Sequence, residues 1–129
     1  MSEPIVFLSH LRIKKGALDA YRQLQREMVR VLEAEKPRTL ALLPYLDADR
    51  TRMTTFHLFA DAESMDLHFE GAQERSAAAY EFLEPDGWEI YGTPSDKAVD
   101  MMRSSAAASK VTFTLHTEYL GGFLRPAPG

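Results

Sequence analysis

The chain has 129 residues, 45% of them hydrophobic and 26% charged, which is enough for one ordinary core and excludes a disordered or fibrous polypeptide. Fifteen basic and nineteen acidic residues give a net charge of -4, so there is no electrostatic footprint for a phosphate backbone and nucleic acid is not an expected partner. The absence of cysteine excludes a disulfide framework, a thiolate metal site and a Cys nucleophile.

Met-Ser-Glu-Pro-Ile at the start carries no basic region before its short apolar run, and no stretch has the roughly 18 apolar residues of a membrane span. A cytoplasmic location with no membrane partner is expected. Ile5 to Ile13 alternates Ile5, Phe7, Ser9, Leu11 and Ile13 against Val6, Leu8, His10 and Arg12, predicting a strand covered on both sides. After Lys14-Lys15-Gly16, Leu18, Tyr21, Leu24, Met28, Val31 and Leu32 recur at helical spacing until Lys36-Pro37 ends the pattern.

Thr39 to Leu46 and Met53 to Phe59 are apolar runs separated by Asp47-Ala48-Asp49-Arg50, which reads as a hairpin. Asp61 can cap a helix whose inward positions are Met65, His68, Phe69 and Ala72, with Gly71 as a kink or break. A further helical segment, Glu74 to Leu83, is expected to end at a Pro85-Asp86-Gly87 turn, followed by a short strand from Trp88 to Tyr91. Ser95 can cap a short helix through Met102, the small-residue run Ser104 to Ser109 reads as a linker, and Val111 to Tyr119 alternates as a late strand. That strand can pair in its own sheet or across a dimer. The tail, residues 120–129, reads as irregular, with a mobile end.

The order β-α-β-β-α-β predicts an α+β, ferredoxin-like domain spanning residues 1–129: an antiparallel sheet with both helices on one face, plus a C-terminal helix and strand. The opposite sheet face is then bare. Since the first strand is apolar on both sides, a homodimer through that face is expected.

Leu11-Arg12-Ile13-Lys14-Lys15-Gly16 is a strand ending in a Gly that opens a helix. Phe59-Ala60-Asp61-Ala62-Glu63-Ser64-Met65-Asp66-Leu67-His68 presents an aromatic, a capping residue and a His nine positions after the aromatic. On these stretches the chain, from about Ile5 to Tyr91, resembles the dimeric α/β-barrel superfamily, in particular domains similar to antibiotic-biosynthesis monooxygenases. The resemblance implies a pocket between sheet and helices. In the quinone-forming branch an Asn, a Trp and a Tyr carry the chemistry, and the resemblance assigns those positions to Thr55, Phe59 and Met65. The haem-degrading branch's Asn, Trp and His fall at Ser9, His68 and Ala78, so neither set is reproduced and no haem or other cofactor is expected.

His57 and His68 are the candidate catalytic groups, since an imidazole titrating near neutrality can exchange a proton with a phenol or carbonyl compound. His68 shares a helix face with Met65 and Phe69, and His57 a strand face with Thr55 and Phe59. A core histidine bonded to backbone is the competing reading of each. Phe7, Ser9, Thr55, Phe59, Met65 and Trp88 are the candidate ligand-binding residues for a small hydrophobic or aromatic molecule. His10 is expected at the dimer interface. No pair among the four histidines has metal-ligand spacing, and no Gly-rich phosphate loop or Ser-nucleophile motif is present. Two function classes follow: a cofactor-independent monooxygenase-like or isomerase-like enzyme acting on an aromatic or polyketide-type substrate, or a non-catalytic dimeric ligand-binding or scaffolding module.

Overall fold

Ile5–Ile13 forms the first strand, β1, and its two-sided apolar pattern places it in the middle of the sheet, as seen in the computed structural model, which describes residues 3–125. The helix α1 (Leu18–Glu35) follows and buries Tyr21 and Leu32 along its apolar stripe. The strands β2 (Thr39–Leu46) and β3 (Arg52–Phe59) make the expected hairpin. Its turn is held by Asp47, whose carboxylate accepts from the backbone N–H groups of Thr51 and Arg52 at 3.0 and 3.1 Å.

Asp61 caps α2 (Ala62–Phe69) by accepting from the Ser64 N–H at 2.8 Å. Gly71, at φ +80°, breaks the helical run, and α3 (Ala72–Ala79) starts in a new direction.

The strand β4 (Leu83–Tyr91) corrects the sequence reading, which placed a turn at Pro85-Asp86-Gly87. Both flanks pair with β1, and the triplet is absorbed as a bulge: Leu11 faces Pro85, His10 faces Gly87, and Asp86 is the extra residue. Pro85 is tolerated because the last strand, β5 (Phe113–His116), pairs with β4 only from Trp88 onward, so the N–H that proline lacks is not needed there. The extra residue aims its carboxylate at Arg12, 2.6 Å away.

The presumed linker is also helical. The helix α4 (Asp96–Ser109) continues through the small-residue run because Ala106 repeats the inward phase of Ala98 and Met102, and alanine favours helix. The late strand, expected to run to Tyr119, is only four residues long: β5 (Phe113–His116) lies parallel to β4 within its own chain. The sheet is therefore mixed, not wholly antiparallel, in the order β2-β3-β1-β4-β5. It is an α+β, ferredoxin-like arrangement with one added βαβ step, and the sheet is open. Residues 120–125 are irregular as expected, and the end expected to be mobile lies outside the described residues. No helix among the described residues is long and apolar enough to cross a membrane.

Register assigns the two sheet faces. Ile5, Phe7, Ser9 and Leu11 lie beside Phe59, His57, Thr55 and Met53, and with Trp88 and Ile90 they form the helix-covered side that holds the core. Val6, Leu8, Thr54, Phe56, Leu43, Tyr45 and Tyr91 occupy the underside, where Tyr45 is 60% and Phe56 40% exposed in the single chain. His10 lies there too, 3.0 Å from the Thr54 hydroxyl and 2.5 Å from the Glu89 carboxylate.

Candidate functional site

Between the covered sheet face and the helices lies a cleft of about 630 Å³, a size suited to a small organic molecule. Phe7 and Ser9 of β1, Thr55 and His57 of β3, and Trp88 of β4 line its floor. Tyr21, Gln25 and Met28 of α1, His68 and Phe69 at the end of α2, and Met102 and Ser105 of α4 line its walls. Alternation in the strands puts every second side chain on this face, and small residues on α4 keep the space open.

The two candidate histidines meet here. Their ring centroids are 5.2 Å apart and the rings stand edge to face. The Nδ1–H of His57 donates to the Phe7 carbonyl at 3.1 Å. A carbonyl only accepts, so the proton of the neutral ring is on Nδ1 and the lone pair on Nε2. The Nδ1 of His68 is 2.7 Å from the Thr39 hydroxyl. Burial pushes His57 down to about 4, opposed by the carbonyls of Phe7 and Thr55 and reinforced by the Arg75 charge. It pushes His68 down to about 3, with further lowering from His57, Arg75 and Lys36. Both are neutral across the physiological range. Burial likewise raises the Tyr21 phenol to about 12, so it is a hydroxyl that donates to Gln25 and not a phenolate.

Among the sequence candidates, Phe7, Ser9, Thr55, His57, His68 and Trp88 line the cleft, and the Trp88 indole donates to the Ser9 hydroxyl at 3.2 Å. Phe59 and Met65 do not line it. Each is 0% exposed and packs in the core with Ile5 and Ile90, which leaves no surface for a ligand. Thr39 and Arg75 were not singled out by the sequence. For Thr39 no local pattern points to a helix 29 residues further on, whereas Arg75 stands out as the one cation in the alanine-rich segment after Gly71. Among the described residues, no three His, Asp or Glu side chains gather where they could hold a metal ion.

No family model matches the sequence, and no curated protein matches it. Solved structures do match in shape. MupZ from Pseudomonas fluorescens superposes with a TM-score of 0.70 at 18% identity, covering 97% of each chain. SnoaB from Streptomyces nogalater, described as a cofactor-independent oxygenase, gives 0.60 at 8% identity, covering 73% of this chain and 96% of its own. A protein of Chloroflexus aurantiacus assigned as an antibiotic biosynthesis monooxygenase gives 0.57 at 13%, covering 72% and 95%. The split βαβ sheet under a roof of helices is thus a fold that this chain shares with these three proteins.

Proposed function

We propose that this protein works as a homodimer that binds a small hydrophobic or aromatic molecule in the cleft and moves a proton on it, as a cofactor-independent monooxygenase-like or isomerase-like enzyme. The observation that supports this is the meeting of two neutral imidazoles, His57 and His68, in one apolar cleft. In this reading Phe7 and Trp88 flank the ligand ring, while Ser9 and Thr55 supply hydroxyls for its polar edge. His57 Nε2 takes a proton from an activated C–H or a phenolic O–H. The imidazolium so formed is disfavoured by burial alone, but the anion created beside it restores the balance by Coulomb attraction. Returning the proton to another atom is an isomerisation. Alternatively the carbanion reacts with O2, an activated CH2 becomes C=O, and the second oxygen leaves as water.

The protein has one tryptophan, and it lines the cleft, so its fluorescence reports occupancy. Titration with 1-naphthol is expected to quench Trp88 saturably. Oxygen uptake with anthrone or 1,4-dihydroxynaphthalene is expected to exceed the protein-free rate, and His57→Ala to lower kcat/KM by about 100-fold while quenching persists. Saturable quenching with no oxygen uptake, and with no protein-dependent exchange of the activated C–H of anthrone for solvent deuterium, removes the enzyme. The second reading, a non-catalytic binding module, then stands; it is favoured by the hydrogen bonds that already engage each imidazole within the chain.

The homodimer reading is supported by the underside of the sheet, where Leu43, Tyr45, Phe56 and Tyr91 are exposed apolar residues. A second copy of that face is the self-complementary cover. Sedimentation is expected to give about twice 14.6 kDa, and Phe56→Arg to give the monomer. A wild-type monomer at micromolar concentration sinks this assembly.

A further inference from the structure

We propose that the cleft selects an amphipathic carboxylate, with the apolar body against Phe7, Phe69 and Trp88 and the carboxylate on Arg75. This rests on the ligand-binding reading above and narrows the class of molecule.

Arg75 lines the cleft, and its guanidinium is fixed in place. Nη2 donates to the His68 carbonyl at 2.7 Å and Nη1 to the Glu70 carbonyl at 3.0 Å, both at the end of α2, where main-chain carbonyls lack helical partners. These bonds occupy two of its five N–H groups, and three remain. Glu74 and Glu35 contribute to its potential, yet no carboxylate among the described residues reaches ion-pair distance. A half-buried cation has lost part of its hydration without gaining a counter-ion.

Its surroundings leave room for one. A Cβ added at Gly71 would lie 3.1 Å from Nη1, so the glycine keeps that flank of the fork clear as well as making the turn. The adjoining polar groups, His57 and His68, are neutral and do not compete for the anion. A planar fork with free N–H groups suits a carboxylate, which it can hold by charge-assisted bonds. Tethering α2 to α3 is a second job for the same side chain, and it uses only the two N–H groups already counted.

The test compares probes of one shape and three charges, read by Trp88 fluorescence: 2-naphthoate, 2-naphthamide and 2-naphthylmethylammonium. Wild-type protein is expected to bind the naphthoate about 10-fold or more tighter than the amide, with the cation weakest. Arg75→Met is expected to erase the preference while amide affinity stays within about twofold, and Arg75→Lys to restore part of it. Equal affinities in the wild type, or a preference that survives Arg75→Met, overturn the carboxylate assignment while the cleft reading stands. Failure of all three to bind overturns both. Where Arg75→Met does not fold, the wild-type ranking together with the reduced preference of Arg75→Lys decides the matter, and an Arg75→Lys preference equal to that of the wild type overturns the assignment.

Discussion

Replacing Phe59 with alanine is expected to lower the free energy of unfolding by about 3–5 kcal/mol, a large share of the roughly 5–15 kcal/mol of a domain this size. The ring is wholly enclosed and belongs to the cluster of Ile5, Phe7, Met65, Trp88 and Ile90. Its centroid lies 5.3 Å from that of His68. Truncation therefore removes buried apolar surface and leaves a void bounded by both the sheet and α2, two rigid elements that cannot readily close on it. The urea midpoint measures this. Phe123→Ala is the matched control: in the irregular segment after β5 its ring is 81% exposed, so the same truncation should cost less than about 1 kcal/mol. The contrast also separates two roles for Phe59. A core residue loses stability with naphthol binding intact in the remaining folded protein. A loss below about 1 kcal/mol, with binding abolished, would return Phe59 to the pocket.

The case of Phe59 shows where sequence reasoning stops. Alternation along β3 correctly assigned Thr55, His57 and Phe59 to one face, since strand periodicity is a local property. Depth along that face is not local. Whether a residue lines the cleft or lies under α2 depends on where the helix crosses, which is why Thr55 and His57 meet the cavity and Phe59 does not. The same distinction explains the pairing of His57 with His68, whose partners Phe7 and Thr39 come from two other strands.

Local chemistry misled in two further places. Pro85-Asp86-Gly87 has the composition of a turn, but pairing of Leu83 and Glu84 on one side and Trp88 on the other with β1 turned it into a bulge. Ser104 to Ser109 has the composition of a linker, and the inward phase of Ala106 made it helix. In the first, tertiary pairing outweighed local turn preference; in the second, burial of Ala106 acted together with the helix preference of alanine. The side of α4 that this extension adds includes Ser105 of the cleft wall, so the misread segment bears on the site.

The buried imidazoles give the second large effect, acid destabilisation beginning well above the range of carboxylates. In the unfolded chain both rings protonate near pH 6.5, whereas burial holds them at about 4 and about 3 in the folded chain. Between those values the unfolded chain binds more protons, so stability rises with pH; it is whole above pH 6.5 and falls as pH drops, levelling off below the folded values. By pH 4 the two rings together withdraw on the order of 5 kcal/mol. Carboxylates lowered in the folded state, such as Asp61 through its bonds from Ser64, lose their contribution only further down, below the ordinary value of 3.8. Unfolding free energies at pH 5.0, 5.5 and 6.0 should therefore show a slope approaching two protons, and each of His57→Gln and His68→Gln should remove about one. An unchanged slope in the double variant would mean that the rings are hydrated in the folded protein. That result would also take away the desolvated setting in which the imidazolium of His57 depends on the anion beside it, and would leave an ordinary imidazole that titrates near neutrality and needs no such partner.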